Sequence, residues 1–223
     1  MLTYFGQGRG SANDGAMSRM AAGQSAGGAT LQAVRGYWEA LRQNGSLPRR
    51  DQIDPRGLAM ALDKVFLVER IAAGQARFRL AGMQLNDLMA MDVRGMPLSA
   101  LFDPAARTRL AAELEQLFAA PSVLEIWLEA ERGVGRPALS ARMLLLPVIG
   151  SGGEPGLALG CLVAEGSLGR APRRFAIAGM VRELIAQPAL RVMPETELVA
   201  EPLQPAPPRS FGKPALRLVS SRD

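Results

Sequence analysis

The sequence predicts an α+β domain built on a five-stranded antiparallel sheet, with short helices on one face and a flanking helix at the N-terminus. Two short runs with strand character, residues 65–68 and 77–81, flank a turn at Gly74, and a helical spacing starts at Leu85. Three further strand patterns follow the next helical segment. The order of elements is therefore two strands, several helices and three strands.

Residues 1–29 are rich in Gly, Ala, Ser and Met and show no helical or strand period, which predicts a disordered lead. Thr30 is a suitable N-cap for the flanking helix, and Asn44-Gly45 is a suitable end. Between them lies one apolar stripe with three- and four-residue spacing: Leu31, Val34, Trp38 and Leu41. Such a stripe is expected to cover another apolar surface.

Two Asp-Pro pairs mark helix starts, because an Asp side chain caps free backbone N–H groups and Pro fits the first helical turn. Asp54-Pro55 predicts a short helix to about Leu62, followed by a strand from Val65. Asp103-Pro104 predicts a longer helix that ends before Pro121.

After Pro121 the apolar period changes to two, which predicts a strand with Leu124, Ile126 and Leu128 on one face. Strands are expected at 139–149 and 157–164, joined by a glycine-rich turn. Residues 175–186 could form one helix within a mostly disordered, proline-rich tail at 170–223. The predicted organisation is thus a lead at 1–29, a domain at 30–169 and this tail.

Composition excludes much catalytic chemistry. The chain of 223 residues has no histidine, which removes the usual general base and the commonest metal ligand. The single cysteine, Cys161, cannot form an internal disulfide, which fits a reducing compartment. We find no convergent set of Asp, Glu, Lys, Arg, Ser or Tyr residues at catalytic spacing, so the sequence predicts no enzyme.

Charge and hydropathy predict a soluble, cytoplasmic protein. The 26 basic and 21 acidic residues give a net charge of +5, and the arginines are spread along the chain apart from Arg170, Arg173 and Arg174. Nucleic-acid binding is therefore not favoured. No stretch reaches the length of a membrane span, and the N-terminus lacks the apolar region of a signal peptide.

Six short motifs occur in order between about residues 35 and 166. They are Tyr37-Trp38 with Leu41-Arg42, Leu47-Pro48 with Arg50, Ile53-Asp54-Pro55, Phe78-Arg79-Leu80-Ala81-Gly82, Arg94-Gly95, and Leu144-Leu145-Leu146-Pro147 with Gly160. In this order they resemble a bacterial subfamily of PAS domains that was first catalogued as a domain of unknown function. The chain departs from that subfamily at Met83, where a small polar residue is usual, and at Ala90, where Gly is common.

The resemblance implies a PAS fold, in many cases with a pocket between the sheet and its helices. The residues predicted to line such a pocket are Phe78, Leu80, Met83, Leu88, Met89, Met91, Leu124 and Ile126. The methionines could form an adaptable roof over a small apolar metabolite, or they could simply fill an irregular core. The sequence leaves the cofactor unassigned.

Two cofactors are not favoured. Haem needs an axial ligand, and without histidine the candidates shrink to Cys161, a methionine or a tyrosine. A photoactive flavin needs a reactive cysteine in a helical motif, whereas Cys161 lies in the apolar strand LALGCLV, where it is expected to behave as a small buried hydrophobe.

Trp127 points to an interface, because a tryptophan on an open sheet face needs a cover. The stripe of the flanking helix is the natural candidate, with Arg35 and Arg42 near Glu125 and Glu129. The predicted interface residues are Leu31, Val34, Trp38, Leu41 and Trp127. Packing within one chain and packing across a homodimer are both open at this point.

The predicted function is a PAS sensory or adaptor module for signal transduction, without catalytic output of its own. It would pass its state to a signalling protein, or to a second copy of itself, by ligand-modulated or constitutive contact. The alternative is a ligand-free dimerisation scaffold, and a nucleic-acid-associated regulator is less favoured.

Overall fold

The computed structural model describes residues 26–185 of the chain. The α-helices are α1 (Ala26–Leu41), α2 (Met83–Met89) and α3 (Pro104–Ala119), and 3₁₀ helices occur at Arg50–Gln52, Pro55–Ala61 and Leu98–Leu101. The strands are β1 (Val65–Ala72), β2 (Gln75–Ala81), β3 (Ser122–Ala130), β4 (Leu139–Ile149), β5 (Pro155–Gly166) and β6 (Phe175–Leu184).

The strands form one antiparallel sheet in the order β2-β1-β5-β4-β3-β6. The predicted α+β class and the antiparallel sheet with short helices are confirmed. The strand number is corrected from five to six, since the segment predicted as a possible helix at 175–186 is strand β6, paired along β3. By periodicity alone, a mostly apolar segment of ten residues fits either a strand or a buried helix. It forms a strand here because β3 has an edge with which it can pair.

The inner face of the sheet carries α2 and α3 and a large buried apolar cluster. At its centre the rings of Phe66 and Phe78 meet edge to face, with 5.4 Å between centroids. Gly160 lies opposite Phe66 on β5, and a Cβ atom there would come within 2.1 Å of the ring. The glycine therefore leaves the space that the Phe66 ring occupies beside the strand.

The outer face carries α1, which begins before the predicted cap at Thr30. Leu31, Val34 and Trp38 are buried against apolar side chains of β4 and β5. The indole N–H of Trp38 donates to the Pro147 carbonyl over 3.0 Å, so the polar atom of this buried ring is satisfied. The flanking helix is thus packed on the sheet of its own chain.

Local sequence signals act as predicted at most element ends. The Asp54 carboxylate accepts from the Arg56 N–H and that of Asp103 from the Ala106 N–H, although Asp54 opens a 3₁₀ helix. Gly74 turns β1 into β2 with a φ of +64°. Ala90 ends α2 with a φ of +56°, a left-handed conformation that suits glycine better than alanine.

Candidate binding surfaces

Most of the predicted pocket residues are part of the inner core. Five of them are almost completely buried in the inner-face cluster: Phe78, Leu88, Met89, Leu124 and Ile126. They pack against side chains of α3 and the 3₁₀ helix at Leu98–Leu101. This packing favours the interpretation in which apolar side chains fill the space between sheet and helices. A role of these five residues in ligand binding stays a prediction.

The other three predicted pocket residues lie at the surface. Met83 is 70% exposed, Met91 54% and Leu80 51%. Met83 begins α2 and Met91 follows its end, so the proposed methionine roof is divided between the core and solvent. Leu80 projects to the outer face, opposite Leu67 of β1.

An apolar groove lies on the outer face at the β2 end of the sheet, where the 3₁₀ helix Pro55–Ala61 passes beside β1. Its volume is about 330 Å³. The residues that line it are Arg50, Ile53, Pro55, Leu58, Leu62, Val65, Phe66, Leu67, Leu80, Ala81, Gly82, Asn86, Asp92, Arg94 and Leu159. Leu80 is thus the one predicted pocket residue that lines this groove.

Two arginines that line the groove, Arg50 and Arg94, belong to the motifs that carry the PAS resemblance, but they are not among the predicted site residues. Arg94 forms a salt bridge with Asp92, and this contact holds the pKa of the Asp92 carboxyl below its usual range. Arg50 has no side-chain partner among the described residues. Their place in the motifs is the one indication in the sequence that these arginines matter. That both line the same groove follows only from the tertiary fold.

A second surface lies at the opposite end of the outer face, around Trp127 on β3. The indole is half-buried, and the Arg142 guanidinium lies 5.6 Å from its centroid. The neighbouring strand β6 places Gly179 directly opposite Trp127, and Val181 beside it is 41% exposed. We call Trp127, Arg142, Glu125 and Val181 the Trp127 patch.

The predicted interface residues are therefore separated. Leu31, Val34 and Trp38 lie on α1 and are buried against the sheet of the same chain, Leu41 is half-buried, and Trp127 is not part of their cluster. The expected approach of Arg35 to Glu125 is also wrong, since Arg35 pairs with Glu183 on β6 over 2.6 Å. Glu125 pairs with Arg142 of the adjacent strand.

Cys161 lies in the outer-face cluster beneath α1. Its position opposite Leu144 of β4 is buried, and this burial raises the pKa of the thiol to about 12. The thiol is therefore protonated at neutral pH and acts as a small apolar side chain. Within residues 26–185, no group of three Cys, Asp or Glu side chains is arranged to hold a metal ion.

The arginine cluster at 170–174 is not a uniform surface patch. Arg173 is fully buried and donates to the backbone carbonyls of Leu168, Glu131 and Pro137. These bonds tie the segment before β6 to the β3–β4 connection, so Arg173 has a structural role that its sequence neighbours do not indicate.

The fold and these surfaces define a sheet-and-helix module of the type used in sensing. A family model described as a PAS domain matches residues 27–163, more than half of the chain. The chain therefore belongs to the PAS-domain family, as its motifs predict. PAS domains serve generally as signal-sensing modules rather than catalysts, and they often mediate protein interactions or dimerisation.

A search of curated proteins gives no significant match. Among residues 26–185, we find no helix of the length and apolar character that a membrane crossing requires.

Proposed function

We propose that this PAS domain is a cytoplasmic signalling adaptor without catalytic output, and that it acts by pairing with a second copy of itself through the Trp127 patch. The observation that carries the proposal is a half-buried tryptophan with an arginine over its ring, on a part of the outer sheet face that lies outside the buried cluster beneath α1. Tryptophan and arginine are the side chains that most often dominate the free energy of protein contacts.

The composition of the patch favours a second copy as the occupant. Arg142 and Glu125 place both signs of charge beside an apolar centre of Trp127 and Val181. A two-fold contact brings the same surface of each copy together, and a surface that carries both signs can complement itself. The large buried apolar cluster between sheet and helices favours constitutive contact, which does not need a ligand there.

Sedimentation velocity over a range of concentrations tests this proposal. We expect the wild-type chain to form a reversible dimer, and we expect Trp127→Glu to be a folded monomer because it places a charge at the centre of the contact. Val134→Glu is the matched control, since Val134 is fully exposed on the β3–β4 connection, and it should dimerise like the wild type. A wild-type monomer at every concentration, or a Trp127→Glu dimer of unchanged affinity, would contradict the proposal.

A further inference from the structure

The apolar groove at the β2 end combines a concave shape with exposed leucines. Leu58 and Leu62 border it from the 3₁₀ helix side, while Leu67, Leu80 and Leu159 line it from the sheet. Leu62 is 46% exposed and Leu80 is 51% exposed, so large apolar side chains of the groove remain in contact with water. Removing this apolar surface from water would favour the binding of an aliphatic chain.

A second, more polar groove adjoins the apolar one. Its volume is about 630 Å³, and it shares Arg50, Leu67 and Leu80 with the apolar groove. The other residues that line it are Arg49, Asp51, Glu69, Arg79, Gly150, Ser151 and Leu157. Arg50 therefore lies where an apolar groove meets a polar one.

The charges along both grooves are mostly paired. The ion pairs are Arg77 and Arg79 with Glu69, Arg49 with Asp51, and Arg94 with Asp92. Within the described part of the chain, Arg50 is the lining cation that no acidic side chain pairs. Four arginines and three carboxylates line the two grooves, so the lining carries one excess positive charge, and Arg50 is the arginine at their junction. Arg77 lines neither groove but adds a second cation on Glu69.

We propose that this junction binds a single-chain aliphatic carboxylate, with the chain in the apolar groove and the carboxylate on Arg50. A guanidinium donates two parallel hydrogen bonds to a carboxylate, which adds affinity and sets the direction of the ligand. The polar groove leaves the head group in contact with water. This site is at the opposite end of the sheet from the Trp127 patch, and it touches the inner-face cluster at Phe66.

Isothermal titration calorimetry of the full chain with decanoate, below its micelle-forming concentration, tests the proposal. We expect one decanoate to bind per chain. Acetate lacks the chain and should not bind, and decyltrimethylammonium carries the wrong charge and should not bind either. Repeating the titration on Trp127→Glu separates this result from the proposed dimer, since the groove is intact in that variant.

Two groove variants and two matched controls assign the site. Arg50→Gln should weaken decanoate binding at least about tenfold, because the positive charge and its two parallel hydrogen bonds to the carboxylate are lost. Leu80→Asp should abolish binding, since it places a carboxylate in the apolar groove. Arg56→Gln and Ile71→Asp change exposed residues that do not line either groove, and their affinities should equal that of the wild type.

Four results would overturn the proposal. They are the absence of decanoate binding, equal affinity for decyltrimethylammonium, wild-type affinity in either groove variant, and binding to anionic phosphatidylglycerol vesicles without binding to free decanoate. Circular dichroism and thermal melting of each variant establish that the compared proteins are folded.

Discussion

Trp38 and Trp127 both lie on the outer side of the sheet, Trp38 on the helix that packs there and Trp127 on a strand, yet their surroundings differ. Trp38 on α1 is 0% exposed and its indole N–H donates to the Pro147 carbonyl. Trp127 on β3 is half-buried and lies outside the cluster that α1 covers. Each ring has an arginine guanidinium above it, Arg42 at 5.2 Å and Arg142 at 5.6 Å.

Because the cation–π contact is common to both sites, burial is what separates their roles. Trp38 is completely buried within its own chain, so none of its surface is accessible to a partner. Trp127 keeps part of its ring in solvent, beside a glycine that gives it no side-chain cover. The same residue type is therefore fully buried in the scaffold at one site and partly exposed to solvent at the other.

The largest expected effect comes from truncating the buried ring. Trp38→Ala should lower the free energy of unfolding by about 3–5 kcal/mol, since it opens a cavity beneath α1. Trp127→Ala is the matched change at the other site and should cost about 1 kcal/mol or less. Urea denaturation of both variants measures the difference, and equal losses would remove the distinction drawn above.

A smaller change isolates the indole hydrogen bond. Trp38→Phe keeps an aromatic ring but leaves the buried Pro147 carbonyl without its donor, which should cost about 1–3 kcal/mol. Trp127→Phe removes no described hydrogen bond and should cost less. The same denaturation experiment checks this pair, and a Trp127→Phe loss as large as that of Trp38→Phe would show that the open ring is also structurally required.

The smallest effect concerns the arginine over the open ring. Arg142→Gln should lower stability by about 1 kcal/mol, since it removes a cation–π contact and an ion pair with Glu125. It should also shift the fluorescence of Trp127 to longer wavelength, as measured in a Trp38→Phe background. Arg35→Gln breaks an outer-face ion pair with Glu183 and should leave that emission unchanged. An unshifted spectrum in Arg142→Gln would mean that the guanidinium does not shield the ring.

Signals that act over a few residues predicted their elements well. The Asp-Pro caps at Asp54 and Asp103 and the turn at Gly74 depend on backbone geometry within one turn, and each acts at its predicted place. β4 occupies the predicted 139–149, because its apolar run is bounded by turn residues on both sides.

Features that depend on contact with a distant segment are not predicted correctly from the sequence. The segment of β6 has the length and composition of a short helix, and its pairing with β3 is visible only when both strands are placed. Arg173 stands among surface arginines in the sequence, but it is buried and donates to three backbone carbonyls, two of which belong to the distant β3–β4 connection.

By itself, the sequence determined the α+β class, the PAS family, the inner-face core positions and the amphipathic flanking helix, because alternation, helical spacing and caps are local properties of the chain. The tertiary structure decided which surfaces remained open. It buried Trp38 completely and left Trp127 half-buried, and it brought Arg50 beside Leu80 across 30 residues of sequence. The physical reason is that the exposure of a side chain depends on which distant segments pack over it. A local sequence pattern does not contain that information.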